Sequence, residues 1–271
     1  MSDAPDFFTK PRDRLRWARE AVTEFNAIRK SFLGESKSEF RTEYDFGSGE
    51  DVYKFVLGRT ELPDGLVRKA NEAVEMTKRV FDQAVHAACL TANVKLRSGD
   101  NTNFPWADTI SGSERILDKR NHIPKQIKSS ILSLKPYGAG EDCSISEQIA
   151  KQMCTIANRG HTIGLEVVGQ VYGAAMPNLV GTITLGRKGI RFPVPVWDVT
   201  KNEVELFRGP PGSAASLQNN AKVFLDIGLN EAPPLKKLSF ANAMTVFANK
   251  AQYTIDTLER VSLRLRNAAD G

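Results

Sequence analysis

The chain has 271 residues, 41% of them hydrophobic and 25% charged, with a net charge of +5. That is enough chain to bury a full core, and the composition is that of an ordinary globular domain; the mild basic balance permits an anionic partner without requiring one. No run of about 18 consecutive apolar residues occurs, which excludes a spanning helix, and Cys89, Cys143 and Cys154 contain no close pair, which argues against a disulfide framework and against a zinc site.

Residues 1–8 show neither a basic run nor an apolar run, so no signal peptide is expected. A reducing cytosol is the expected compartment, with no membrane partner. The first helix is predicted from about Pro11 to Leu33, with Trp17, Ala21, Phe25, Ile28 and Phe32 as its buried face and Gly34 as its stop. Phe40, Thr42, Tyr44 and Phe46 alternate. Gly47-Ser48-Gly49 then leads into Val52–Leu57, which predicts a β-hairpin.

A long helix is predicted over 66–96, with Val67, Ala70, Val74, Phe81, Val85, Ala88 and Ala92 on one stripe. Residues 97–111 form a loop in which Phe104 and Trp106 flank a proline and anchor it to the core. Shorter helices follow near 113–120 and 124–134. Ser144-Ile145-Ser146-Glu147 is a capping box that opens a helix to about Asn158, and Gly160 stops it.

From residue 162 the period falls to two. Strands are expected through Ile183 and Leu185, then over 190–196 on an edge because of Pro193 and Pro195, then at 203–208 and 222–229. A turn is expected at Gly186-Arg187-Lys188-Gly189, and a loop over 209–220. The last helix, 239–267, buries Phe240, Ala243, Phe247, Ala251, Ile255, Leu258 and Leu265. The expected fold class is α+β: a helical bundle core of about four long helices, an N-terminal β-hairpin and a C-terminal, mostly antiparallel β-meander closed by a long helix. One domain is expected over 1–271, with the helical part at about 10–160, the meander at about 162–232 and the closing helix at 239–267.

The densest polar set is Glu75, Lys78, Arg79, Asp82 and His86 on the long helix. With Phe81 at the centre of the buried face, Lys78 lies about 60° away, Asp82 about 100°, His86 about 140° and Arg79 about 160°. Lys78, Asp82 and His86 stand at i, i+4 and i+8, so they touch in series. One reading is an acid–base set of Arg79, Asp82, His86 and His161, with Asp82 orienting His86. The other is a solvated flank laced with ion pairs.

Asn158, Arg159 and His161 follow at a helix C-terminus, where the dipole alone favours a cation. Lys78, Asn103, Asn158 and Arg159 are the candidate ligand-binding residues. His122 is expected at an exposed turn. Arg12, Arg16 and Arg19 share a face of the first helix that could lie on phosphates, but Glu20 and Glu24 dilute it and a solvated face is the first expectation. No phosphate loop, dinucleotide fingerprint, His-Glu-x-x-His or Gly-x-Ser-x-Gly is present, and no metal set or cofactor is expected.

Four pieces carry a resemblance: Lys78-Arg79-Val80-Phe81-Asp82-Gln83-Ala84, Thr102-Asn103-Phe104-Pro105, Lys135-Pro136-Tyr137, and Asn158-Arg159-Gly160-His161. Over residues 10–165 or so the chain resembles a large uncharacterised bacterial family of helical proteins, with Lys78 at that family's Arg position. The resemblance implies no known reaction. More distantly, Arg79 and His86 resemble the Arg…His signature of HEPN-type helical ribonucleases, which implies metal-independent RNA cleavage. The leading expectation is a non-catalytic interaction module for a partner protein or anionic ligand. The ribonuclease using Arg79 and His86 is the alternative, and a structural subunit of a homo-oligomer is the third.

Overall fold

The computed structural model describes residues 5–58, 61–138, 140, 143–159, 163–172, 178–179, 189–212, 217–218, 222–236 and 238–270. It is α+β. The chain, read above as one domain, groups into two compact units: residues 1–27, 64–164 and 229–271 form one, and residues 28–63 and 165–228 the other.

The first unit is helical. It holds the start of α1 (Thr9–Glu35), then α2 (Asp64–Thr91), α3 (Ile110–Asp118), α4 (Lys125–Ser133), α5 (Ile145–Arg159) and α6 (Phe240–Asp270). α2 lies along α6, α5 packs on both, and α4 packs on α6. Small residues let α2 and α6 approach: Ala70, Ala73, Ala84 and Ala88 face inward on α2, and Ala243 and Ala251 on α6. Phe81 is the hub. Its ring lies 5.4 Å from Phe247, 5.2 Å from Phe104 and 5.0 Å from Trp106. The expected anchoring of the loop by its two aromatics is therefore seen. Truncating such a ring removes about 3–5 kcal/mol.

Local chemistry sets the helix ends. The capping box forms as expected: Ser144 N–H donates to Glu147 Oε2 at 2.8 Å, and Glu147 N–H to Ser144 Oγ at 3.4 Å. Thr109 Oγ1 caps α3 by accepting Gly112 N–H at 3.2 Å, so that helix begins at Ile110, before the expected 113. α2 stops at Thr91, short of the expected 96. Asn93 takes a left-handed φ of 56°, and Val94 N–H returns to the Cys89 carbonyl at 2.9 Å, a helix-terminating bond.

Trp17 is a correction. It is 43% exposed, with the Arg16 guanidinium 6.0 Å from its ring centre. The buried residues of α1 are Pro11, Leu15, Ala18, Ala21, Phe25 and Phe32, so Ala21, Phe25 and Phe32 face inward as expected, on a seam that passes about 100° from Trp17.

The second unit holds the rest of α1 and the strands. β1 (Ser38–Asp45) and β2 (Glu50–Leu57) form the expected hairpin, in unbroken antiparallel register from Ser38↔Leu57 to Asp45↔Glu50. Gly49 closes the turn at φ 71°, a conformation that favours glycine, and its N–H reaches the Asp45 carbonyl at 2.8 Å. β3 (Leu165–Tyr172) pairs with β8 (Lys222–Leu229), and β4 (Asn178–Leu179) with β7 (Leu217–Gln218). With β5 (Trp197–Asp198) and β6 (Glu203–Gly209), the hairpin builds a four-stranded sheet of order β1-β2-β6-β5, so the hairpin does join the meander.

The strand expected over 190–196 shrinks to one bridge, Arg191↔Arg208, followed by β5. Pro193 and Pro195 have no N–H to continue a ladder. The expected strand at Ile183 and Leu185, most of the 186–189 turn, Gly160 and His161 lie outside the described residues. Among the described residues no helix is long and apolar enough to cross a membrane.

Candidate functional site

Lys78, Asp82 and His86 follow one another up α2 as their spacing requires, but they are not equivalent. Lys78 Nζ donates to Asp82 Oδ2 at 2.7 Å, and both side chains are mostly covered. Asp82 Oδ1 accepts the Phe104 backbone N–H at 2.8 Å. Both carboxylate oxygens are thus engaged, and Asp82 holds the 101–106 loop against the helix.

The same loop is gripped from the other side. The Arg120 guanidinium, buried, donates to the Asn103 carbonyl; burial lowers its pKa, and the Asp82 charge acts in the opposite direction. Asn101 Oδ1 accepts Asn103 N–H at 2.9 Å. His122, expected to be merely exposed, instead sits with Nε2 3.1 Å from the Asn101 carbonyl and Nδ1 3.7 Å from Asp100. Its side chain is only 19% exposed, because the loop folds over it.

His86 is exposed, with Nδ1 3.4 Å from Thr102 Oγ1. It borders a pocket of about 570 Å³. One wall is α2, through Asp82, Gln83, His86, Ala87 and Leu90. The other is the start of the chain, through residues 5–7, Lys10 and Pro11. Thr102 closes the end. Two acids line the pocket, and both are satisfied. Asp6 accepts Phe8 N–H at 2.9 Å, Thr9 Oγ1 at 3.1 Å and Arg12 Nη1 at 2.9 Å; Asp82 is engaged as above. Lys10 and His86 form no ion pair among the described residues.

The remaining sequence candidates disperse. Arg79 is 60% exposed, 3.7 Å from Glu75, and does not line the pocket. It faces Arg14 instead: burial first, then Arg79, lowers the Arg14 pKa, while Arg14 Nε donates to Gln83 Oε1 at 3.0 Å. Asn158 Nδ2 is 3.7 Å from Cys154 Sγ, and Arg159 pairs with Glu231 at 3.2 Å. His161 cannot be placed with them, lying outside the described residues. Arg12 is bound by both Glu259 oxygens at 2.5 Å, and Arg16 by Asp13 at 3.0 Å and Glu20 at 3.5 Å. Only Arg19 of that trio is exposed without an ion pair among the described residues, so the face offers little free charge to phosphates.

Sequence reasoning does not single out Gln83, Leu90 or Thr102 as site residues, and reads Lys10 only as part of the basic set that opens the first helix. The first two were accessible: Gln83, His86, Ala87 and Leu90 follow helical spacing beside Asp82. The other two come from distant segments and leave no periodic mark. A second cavity, about 620 Å³, lies on the charged face of the sheet. Its lining sets five acids, Glu43, Asp45, Asp198, Glu203 and Glu205, against three cations, and two of these are spent: Lys54 pairs with Glu43 at 2.7 Å and Glu203 at 3.0 Å, and Arg208 with Asp45 at 2.8 Å and Glu205 at 2.5 Å, while Lys201 stands among the acids. The His86 pocket is therefore the better candidate.

Among known proteins, no family model, no curated protein and no solved structure matches this chain.

Proposed function

We propose that this protein is a non-catalytic binding module of the cytosol, and that the His86 pocket takes a small anion with an apolar body. The observation that carries the reading is the imbalance within the pocket. Both acids have their oxygens occupied, whereas the Lys10 ammonium and the imidazole have no ion-pair partner among the described residues. Phe7, Pro11, Ala87 and Leu90 supply apolar walls. A few convergent polar groups over an apolar lining are the usual make-up of a small-ligand site.

A ribonuclease using Arg79 and His86 is the alternative. What favours it is one exposed imidazole beside a cavity. It needs Arg79 to leave Glu75 and reach the same substrate, and an Asp82 lone pair that Lys78 or Phe104 now holds. The bacterial family resemblance stays part of the proposal, supported by three of its pieces being neighbours: Asp82 bonds Phe104, and Ala107, just past the Thr102–Pro105 piece, donates its N–H to the Pro136 carbonyl at 3.0 Å.

The test is calorimetric titration with octanoate and, separately, 1-octanol. Octanoate is expected to bind, the alcohol to bind about tenfold more weakly for want of a charge-assisted bond, and Lys10→Glu to remove the difference. Equal affinity for acid and alcohol, or octanoate binding untouched by Lys10→Glu, would overturn the assignment.

A further inference from the structure

The two edges of the four-stranded sheet are built differently. At one end β5 has two residues, and Pro193 and Pro195 precede it, so that edge offers almost no ladder. Short strands and prolines are how sheets avoid pairing with other chains. At the other end β1 runs for eight residues with unbroken register, and contains no proline, lysine or bulge. Ser38–Thr42 are all exposed. Phe40 is 43%, Tyr44 46% and Phe46 91% exposed. Among the described residues no strand pairs with the outer side of β1, and an edge carrying this much aromatic surface is a template for another strand.

The sequence of β1 indicates which strand. Phe40, Thr42 and Tyr44 share one face, and Arg41 and Glu43 the other, because side chains alternate along a strand. A second β1 laid antiparallel along the free edge, with Thr42 on the two-fold axis, sets Arg41 opposite the second copy's Glu43, and Phe40 opposite the second copy's Tyr44. Symmetry repeats each pair. Opposite charges and aromatics facing across strands are the favourable pairings. Glu39 meets the second copy's Asp45 at the strand ends, where each has a cation near it: Arg41, which lies 3.8 Å from Glu43 of its own strand and so is shared among acids, bonds Glu39, and Arg208 lies 2.8 Å from Asp45. We infer that this protein forms a two-fold homodimer by antiparallel pairing of β1 with the β1 of a second copy, centred on Thr42, joining two four-stranded sheets into one. A strand pair alone buries less than the ~1,600 Å² of a standard interface, so the dimer is weak and concentration-dependent.

Sedimentation velocity on the full chain over a concentration series tests this. Wild type is expected to shift from monomer to dimer. Thr42 is exposed and tolerates a charge in the monomer, so Thr42→Lys and Thr42→Glu should each fold with unchanged circular dichroism and each stay monomeric, since like charges meet on the axis. Mixed in equal amounts, the two variants should recover the dimer, because lysine then faces glutamate. Wild type that stays monomeric throughout, a Thr42→Lys variant that dimerises like wild type, or a mixture that does not recover the dimer would each overturn the inference.

Discussion

The carboxylate of Asp82 and the backbone N–H of Phe104, 22 positions apart in the chain, meet at 2.8 Å. Through that bond one helical side chain fixes the position of a whole loop, while its second oxygen neutralises Lys78. This makes Asp82 an anchor in the present geometry, and it leaves His86 as the chemically free member of the stripe.

Removing that anchor should loosen the loop. Asp82→Ala leaves Lys78 and the Phe104 N–H without their partner, at an expected cost of roughly 1–3 kcal/mol in urea unfolding. Asp82→Asn keeps a carbonyl oxygen for Phe104 and loses only the charge. Amide exchange at Phe104 should accelerate in the alanine variant and much less in the asparagine one. Equal protection in wild type and Asp82→Ala would show that the aromatics alone hold the loop.

His86 should be dispensable for folding. Its side chain is exposed and its one polar contact among the described residues is long, so His86→Ala should change stability by no more than about 0.5 kcal/mol. The same variant separates the two functional readings. The binding reading expects no RNA cleavage from wild type with or without chelator. Chelator-resistant cleavage by wild type that vanishes in His86→Ala would replace it with the ribonuclease.

The hairpin turn should carry part of the acid sensitivity. Ser48 Oγ and Gly47 N–H, both at 2.9 Å, and Arg208 at 2.8 Å hold the Asp45 pKa below its ordinary 3.8. A carboxyl depressed in the folded state adds stability that is fully present above its unfolded value and is lost as pH falls through the folded one. Thermal midpoints should therefore drop as pH goes below 3.8, with a shallower drop in Asp45→Asn. Identical pH slopes for the two proteins would remove Asp45 from the account.

Two of the three cysteines should be inert. Burial pushes Cys89 up to about 11 and Cys154 up to about 12, so both are protonated and covered near neutral pH. Maleimide labelling followed by peptide mass analysis should leave Cys89 and Cys154 unmodified in the native protein and modify them in denaturant. Rapid native labelling at Cys154 would contradict the packing of α5 described above.

The sequence alone determined the local elements. Phe81 was readable as the centre of a buried stripe, Ser144 and Glu147 as a capping box, and the β1–β2 hairpin as an alternation around glycines. Each depends on contacts within a few residues, where helix and strand periods write themselves into the order of side chains. Tertiary structure alone decided that Asp82 and Arg120 grip the Asn101–Trp106 loop, that Trp17 stays outside, and that Lys10 and Thr102 border the same pocket as His86. Those pairings join backbone groups and side chains from distant segments. A backbone N–H or carbonyl is the same at every position, so nothing in the order of residues marks which one a remote carboxylate or guanidinium will find.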